Sequence, residues 1–249
     1  KDPIKLLDRI SNKSPDILAL SNYQWNFNLD LAFFHMVKNL SPKTITVMGG
    51  PNVSDTEKER RDFLLKNPLI DFYTMLEGEE AFSNIVEKVF EYRDNINILK
   101  QNSIGGVMHR IDNENIHVGS LLIRKRALDE IPSPYLTGMM DNFFDGKLTP
   151  MLQSNRGCPF TCTFCDEGHS NMTKVNYFSL DRVKAELDYI SLKATHSRID
   201  DLRFTDSNFA MYERDYEICE HIAKIQKNKN YPKVIQASTG KNRKERIIK

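Results

Sequence analysis

Three of the four cysteines in the chain fall within eight residues and give the sequence its clearest chemical signal. Cys158, Cys162 and Cys165 have the spacing C-x3-C-x2-C. Thiolates are the soft ligands that iron–sulfur clusters require. Since three cysteines ligate only three irons of a [4Fe–4S] cluster, one iron stays open to an outside ligand, which is typical of catalysis rather than of electron transfer. The remaining Cys219 is far away in sequence, so the pattern does not predict a disulfide framework.

Two other interpretations of these cysteines stay open at this point. One is a zinc knuckle completed by His169, and the other is a plain electron-transfer cluster. Zinc motifs usually pair cysteines as C-x2-C with a distant second pair. Here the spacing differs, and the sequence around it predicts a strand, a loop and a helix. The pattern therefore favours the cluster with an open iron.

The whole loop, Arg156–Cys165 (RGCPFTCTFC), resembles the signature of the radical S-adenosylmethionine superfamily, including the aromatic Phe164 before the last cysteine. The resemblance implies that S-adenosylmethionine binds the open iron through its amino and carboxylate groups, with Phe164 in the cofactor site. An electron from the reduced cluster then cleaves a carbon–sulfur bond and gives a 5′-deoxyadenosyl radical. An external electron donor of flavodoxin or ferredoxin type is the implied partner.

Asp206 follows a predicted strand in the segment FTDSNF. In a (β/α) barrel the carboxyl ends of the strands share one rim, so Asp206 is expected on the same rim as the cysteines. The superfamily has a segment here that hydrogen-bonds the amino group of S-adenosylmethionine, and FTDSNF resembles an acidic D-x-N-F version of it. The resemblance therefore implies that Asp206 binds S-adenosylmethionine. The alternative is an aspartate that only fixes the loop.

The first hundred residues alternate between strand-like and helix-like segments, which predicts a parallel sheet with helices on both faces. The predicted strands are Asp16–Ser21, Thr44–Met48 and Ile70–Met75, and the predicted helices are Leu29–Leu40, Asp55–Leu65 and Glu79–Tyr92. Ile104–Arg110 and Asn115–Leu122 then predict a hairpin around Asp112-Asn113.

Polar and glycine residues stand at the ends of these predicted strands. Over about residues 1–95 the chain resembles the cobalamin-binding, flavodoxin-like domain that precedes many radical S-adenosylmethionine cores. The resemblance implies that Ser21, Gly49 and Gly50 contact cobalamin, because ligands of such sheets bind at the carboxyl ends of the strands. The alternative is that these glycines only shape turns. The strand with the family's Asp-x-His-x-x-Gly motif is not in the chain, so a histidine ligand to cobalt cannot be judged.

The sequence predicts an α/β fold. A flavodoxin-like, doubly wound parallel sheet, incomplete at its N-terminus and extended by the hairpin, occupies residues 1–125, a linker residues 126–148, and part of a radical S-adenosylmethionine (β/α) barrel residues 149–249. The barrel part predicts strands at Pro150–Ser154, Asp201–Thr205 and Lys233–Ala237, with helices at Leu180–Lys193 and Tyr212–Lys227. At about 31 residues per unit of an eight-unit barrel, this is about three units, so a fragment is expected.

The composition argues against nucleic-acid binding and against a membrane span. The net charge is +1, so no strong field attracts nucleic acid. No run of 18 apolar residues predicts a membrane span, and no signal peptide is visible, which favours a cytoplasmic location. We expect a radical S-adenosylmethionine enzyme acting on a small molecule or another substrate that cannot be identified from sequence, with cobalamin-dependent methyl transfer as one reaction. The alternative is a non-catalytic iron–sulfur electron carrier or a metal-stabilised binding module.

Overall fold

Two units, each with its own hydrophobic core, make up the protein in a computed structural model. The structure describes residues 3–53, 56–92, 95–168, 172–240, 242 and 245. Lys1–Arg124 form the first unit and Lys125–Lys249 the second. Among the described residues, no helix is long and apolar enough to cross a membrane.

The first unit contains five strands and five helices among its described residues. In chain order they are α1 (Pro3–Asn12), β1 (Ile17–Ser21), α2 (Phe27–Leu40), β2 (Ile45–Gly49), α3 (Glu57–Lys66), β3 (Phe72–Thr74), α4 (Gly78–Glu91), α5 (Ile96–Leu99), β4 (Val107–Arg110) and β5 (Ile116–Val118). The strands form one sheet in the order β1-β2-β3-β4-β5. The predicted strands and helices of this unit are therefore confirmed, with ends shifted by a few residues.

The sheet combines a parallel half with an antiparallel half. β1, β2 and β3 are parallel, with Ser21 opposite Gly49 and Gly49 opposite Thr74. This register brings the predicted Ser21 and Gly49 to the same edge of the sheet. β4 and β5 are antiparallel and form the predicted hairpin. The sequence did not predict the pairing of β4 with β3, which adds the hairpin to the same sheet.

Helices cover both faces of this sheet. One core packs α1, α2 and α3 against it through Ile10, Phe34, Val37 and Leu64, all buried. The other core packs α4 and α5 through Ala81, Ile85, Val89 and Leu99. Both faces being covered agrees with the predicted α/β class. Among the strands that the structure describes, β1, β2 and β3 follow chain order, so the reversal of order that defines a doubly wound sheet is not seen.

The second unit is built on three short parallel strands. Its elements are β6 (Met151–Leu152), β7 (Asn155–Arg156), β8 (Asn176–Tyr177), α6 (Leu180–Ser197), β9 (Asp201–Phe204), α7 (Arg214–Lys229) and β10 (Val234–Gln236). The parallel sheet has the order β10-β9-β6, with α6 and α7 as the two connections. β10 lies at one edge of this sheet, and its three residues are exposed.

The core of the second unit draws on a segment that the sequence predicted to be a surface linker. Leu128 and Tyr135 are buried together with residues of α6, α7 and β9. Tyr135 also donates a hydrogen bond from its hydroxyl to the Met151 carbonyl oxygen, at 2.7 Å. Residues 126–148 therefore contribute to this core through Leu128 and Tyr135, while Leu136, Met139 and Leu148 of the same segment are exposed.

Candidate functional site

The cysteine loop begins and ends at a short antiparallel ladder. β7 pairs with β8, so the chain leaves the sheet after β6, forms the loop, and returns to the same place. Gly157 stands before the first cysteine with φ +107°, and a Cβ atom there would lie 2.5 Å from the Lys174 carbonyl oxygen. A larger residue is excluded by both features. The Cys158 amide donates to the Met172 carbonyl oxygen at 2.9 Å, which fixes the first cysteine.

The other two cysteines lie on a tight turn. The Cys165 amide donates to the Cys162 carbonyl oxygen at 3.1 Å, and the Gly168 amide donates to the Cys165 carbonyl oxygen at 2.9 Å. Gly168 packs against the Cys162 backbone so closely that a Cβ atom would overlap its carbonyl oxygen. Cys158 and Cys162 are half-buried, and Cys165 is exposed. The loop backbone is thus ordered around three accessible thiols.

The described residues contain no single-ion site. Within the part of the chain that the structure describes, no group of three or more His, Cys, Asp or Glu side chains is close enough to hold one ion. His169, the fourth ligand of the zinc alternative, lies outside the described residues.

Asp206 stands beside this loop and is almost completely buried, with an exposure of 2%. Its Oδ1 accepts hydrogen bonds from the amides of Ser154, at 2.7 Å, and Asn155, at 3.3 Å. Its Oδ2 accepts from the Ser154 hydroxyl and from Asn155 Nδ2, the latter at 3.0 Å. Burial raises the pKa of Asp206, although these hydrogen bonds lower it in part. Asp206 thus joins the end of β9 to the strand segment that leads into the cysteine loop.

The three residues after Asp206 each contact a different part of the site. The Ser207 hydroxyl donates to the Glu167 carboxylate in the cysteine loop. Asn208 donates from Nδ2 to Cys158 Sγ at 3.2 Å. Phe209 forms a β-bridge with Thr239, and its ring stacks on Phe204 at a centroid distance of 4.0 Å. The segment after β9 is therefore tied both to the cysteine loop and to the segment after β10.

A group of buried polar side chains lies in the stretch that follows, at the start of α7. Among the described residues, Tyr212 Oη, Arg214 Nε and Asp215 Oδ1 are buried without a hydrogen-bond partner. Burial raises the pKa of Asp215 to about 6 and also raises the pKa of Tyr212. Buried donors and acceptors of this kind are commonly bridged by ordered water.

In the first unit, the carboxyl ends of β1 and β2 meet around Gly50. Gly50 has φ +133°, and a Cβ atom there would lie 2.6 Å from the Asn22 carbonyl oxygen. The Tyr73 hydroxyl donates to the Gly50 carbonyl oxygen at 2.6 Å and accepts from Asn22 Nδ2 at 3.2 Å. Asn52 Nδ2 donates to Asn22 Oδ1 at 3.2 Å. These contacts hold the glycine turn in one conformation.

An open cavity of about 340 Å³ lies at this end of the sheet. Backbone and apolar groups dominate its lining, which comprises Ala19, Leu20, Val47, Met48, Gly49, Gly50, Thr74, Leu76, Gly78 and Phe82. Gly49 lies so close to Thr74 that a Cβ atom would overlap the threonine hydroxyl. The small residues therefore leave room where side chains would otherwise close the cavity.

Ser21 ends β1 at the same edge and is exposed. Asn26 Nδ2 donates to the Ser21 carbonyl oxygen at 2.9 Å and to its hydroxyl at 3.2 Å. Between them, Tyr23 stacks on Trp25 at a centroid distance of 4.7 Å, and Trp25 is 82% exposed. An aromatic surface thus adjoins the polar end of β1.

Comparison with known proteins finds relatives that align with both units of the chain. Residues 1–86 match the B12-binding domain family. The chain is 31% identical over 260 aligned positions to 2-(S-pantetheinyl)-carbapenam-3-carboxylate methyltransferase from Streptantibioticus cattleyicolor, covering 100% of this chain and 36% of that protein. It is 31% identical over 241 positions to the cobalamin-dependent radical SAM methyltransferase TokK from Streptomyces tokunonensis, covering 94% of this chain and 33% of that protein. The chain belongs to the radical S-adenosylmethionine subgroup with an N-terminal B12-binding domain.

Structural comparison agrees at the level of the fold. The cobalamin-dependent S-adenosylmethionine radical enzyme OxsB, solved with aqua-cobalamin and S-adenosylmethionine bound, aligns with a TM-score of 0.62 at 19% identity. The alignment covers 89% of this chain and 30% of OxsB. The chain spans about a third of the length of the curated relatives it matches, with coverage of 36% and 33%.

The residues that the sequence predicted for the sites of this subgroup can be located in the structure. The three cysteines lie on one loop, and Ser21, Gly49 and Gly50 lie at one edge of the first sheet. Phe164 is 83% exposed, so it presents an aromatic surface beside Cys165. The oxygens of Asp206 are buried and accept hydrogen bonds from Ser154 and Asn155, which is the geometry expected of the loop-fixing alternative. Its contact with S-adenosylmethionine stays a prediction.

Several residues of this subgroup's site were missed from sequence. Asn208 and Asn22 contact the two predicted sites through side-chain amides. Gly157 and Gly168 are required by close backbone approach on either side of the cysteines. The glycines were visible as R-G-C and D-E-G at the borders of the cysteine loop. Asn208 was visible as the asparagine of the D-x-N-F segment, but its contact with Cys158 was not predicted because the two residues lie 50 positions apart.

Proposed function

We propose that this protein is part of a cobalamin-dependent radical S-adenosylmethionine methyltransferase that transfers a methyl group to a carbon of a small organic molecule. The observation that carries the proposal is the ordered C-x3-C-x2-C loop after the first strand of a parallel β/α unit. The similarity to two named methyltransferases over nearly all of the chain supports the reaction class.

In this proposal Cys158, Cys162 and Cys165 hold a [4Fe–4S] cluster. Their thiolates are suitable soft ligands, and all three are at least partly accessible to such a group. When bound, the cluster supplies the electron that cleaves S-adenosylmethionine. An external flavodoxin- or ferredoxin-type donor is the partner that provides this electron.

The chain's own residues would position these groups. Asp206 holds the strand segment before the loop, and Ser207 holds Glu167 within it. Phe164, exposed beside the last cysteine, offers an apolar face against which the adenosine of S-adenosylmethionine can pack. Asp206 is not needed as a direct ligand of the cofactor in this arrangement.

Cobalamin would occupy the carboxyl edge of the first sheet. Gly49, Gly50 and Gly78 leave the space there, and Leu20, Met48 and Phe82 supply apolar walls for a nucleotide-like tail. Ser21 adds a hydroxyl at the rim. The cavity has the small-residue floor and apolar lining that this ligand requires, so the residues fit the group.

The cluster part of the proposal is tested by anaerobic reconstitution with iron and sulfide. We expect about four irons per chain, consistent with a four-iron cluster, and a change in the EPR signal of the reduced cluster when S-adenosylmethionine is added. Cys162→Ala should lose the cluster, whereas the matched Cys219→Ala, on α7, should keep it. A cluster that binds but ignores S-adenosylmethionine would instead support the electron-carrier alternative. A full cluster in Cys162→Ala would contradict the ligand assignment.

The cobalamin part is tested by a variant that fills the cavity without straining the fold. A Cβ atom at Gly78 would meet only Thr74 Oγ1, at 3.6 Å, so Gly78→Val should fold normally. We expect it to weaken binding of hydroxocobalamin at least about tenfold, measured by equilibrium dialysis with visible absorbance. Ser83→Val, exposed on the same helix α4, is the control and should bind normally. Equal binding by the two variants would place cobalamin elsewhere.

A further inference from the structure

Asn208 lies outside the cysteine loop and contacts a cysteine sulfur. Its Nδ2 lies 3.2 Å from Cys158 Sγ, and the residue is 5% exposed. A thiolate offers lone pairs and no proton, so the amide nitrogen rather than the amide oxygen must face it. The contact is therefore a part-buried N–H···S hydrogen bond, from a buried amide to the half-buried thiol of a residue that we assign as a cluster ligand.

The position of Asn208 is fixed from both sides. Before it, Asp206 is bound by Ser154 and Asn155. After it, the Phe209 amide donates to the Ser238 carbonyl oxygen at 2.8 Å, and the ring stacks on Phe204. An amide held in this way cannot turn freely toward solvent, so its hydrogen bond to the sulfur is pre-organised.

We infer that Asn208 tunes the reduction potential of the cluster by donating this hydrogen bond to the Cys158 thiolate. The inference rests on the proposed function, because it takes the cysteines as cluster ligands. One-electron reduction, with the electron supplied by a flavodoxin- or ferredoxin-type donor, adds negative charge that is shared with the sulfurs. A hydrogen bond to sulfur stabilises that charge, so it favours the reduced state and raises the potential.

Asn208 is thus a positioning and tuning residue. It makes the cluster easier to reduce before S-adenosylmethionine is cleaved, and it does so without contacting the reacting atoms. Because Asn208 is buried, water cannot readily take the place of its amide group when the residue is replaced. The effect should therefore appear in the potential rather than only in the amount of cluster bound.

The test is an EPR-monitored redox titration of the reconstituted full chain without substrate. Asn208→Ala and Asn208→Leu both remove the donor, and Asn208→Leu keeps nearly the size of the side chain without adding a charge. For each variant we expect the equilibrium constant for reduction to fall about tenfold, which is a shift of about 59 mV to lower potential for a one-electron couple. Ser197→Ala is the control: it removes a hydrogen bond to the Phe144 carbonyl oxygen at the end of α6 but keeps the bond to sulfur, so its potential should equal that of the unaltered protein.

The potential is read from whatever fraction of each variant carries cluster, so reduced loading does not prevent the measurement. In the unaltered protein, ¹⁵N labelling of asparagine should also give a nitrogen hyperfine coupling to the reduced cluster. An unchanged potential in both Asn208 variants, or the absence of that coupling, would overturn the inference while leaving the cluster in place. If the unaltered chain bound no four-iron cluster, the proposed function itself would fail, and this inference with it.

Discussion

Replacing Asp206 should destabilise the second unit far more than replacing a surface aspartate nearby. Asp206 is buried and accepts four hydrogen bonds from Ser154 and Asn155. Asp206→Ala removes the acceptor of three donors that water reaches poorly, while Asn155 Nδ2 keeps Ser154 Oγ as a partner at 3.2 Å. At about 1 kcal/mol for each of the three donors after partial relaxation, and with a small gain from removing a buried charge, we expect a loss of about 2–3 kcal/mol.

Asp206→Asn keeps the shape of the side chain and removes its negative charge. Its amide oxygen can still accept from the backbone amides of Ser154 and Asn155. Its amide nitrogen, however, faces Asn155 Nδ2, so a donor meets a donor. We expect this variant to lose about 1–2 kcal/mol, less than Asp206→Ala.

Asp200→Ala is the matched control in the same unit. Asp200 is exposed and pairs with Lys233 at 3.0 Å on the surface, where such ion pairs contribute about 0.2–1 kcal/mol. Free energies of unfolding can be measured in urea by hydrogen–deuterium exchange of peptides from residues 125–249, so that the first unit does not obscure the transition. Losses of the same size for Asp206→Ala and Asp200→Ala would refute the reasoning about buried donors.

Two further predictions concern the first unit and are measured by urea unfolding followed through hydrogen–deuterium exchange of peptides from residues 1–124. Gly50→Ala must accept φ +133° and a contact of 2.6 Å with the Asn22 carbonyl oxygen, so we expect a loss of at least about 2 kcal/mol; a neutral result would contradict the assigned turn. Burial opposes the ionisation of Asp71, but Lys100 and Lys38 outweigh it and lower its pKa. The stability that Asp71 contributes is therefore present above the unfolded pKa of about 3.9 and is lost as the pH falls through the lower folded value. Asp71→Asn should cost about 3 kcal/mol at pH 7, since it leaves two half-buried ammonium groups with no carboxylate, and should remove that part of the acid dependence; an unchanged acid profile would contradict the assignment.

The sequence predicted what depends on local pattern. Alternating apolar segments predicted the strands and helices of both units, and the polar turn at Asp112 predicted the hairpin. The structure shows why the turn forms, because Asp112 Oδ1 accepts from the amides of Glu114 and Asn115, each at 2.8 Å. The spacing of the cysteines likewise predicted a shared loop. Each of these features is fixed by residues close together in the chain.

What was missed depends on partners far apart in the chain. The pairing of β4 with β3 joins residues separated by more than thirty positions, and no local signal specifies it. The role of Asp206 depends on Ser154, which is 52 residues away. Polar residues such as these look the same in sequence whether they face a ligand or a buried backbone amide. Burial distinguishes the two cases, and burial follows only from the assembled fold.

The exposed edge at β10 keeps the parallel sheet of the second unit open. Val234 and Ile235 present apolar side chains on a strand whose outer backbone groups have no neighbour among the described strands. Such an edge can accept a further strand. In a (β/α) barrel that place belongs to the strand of the next unit, so an apolar β10 is what extension of the sheet requires.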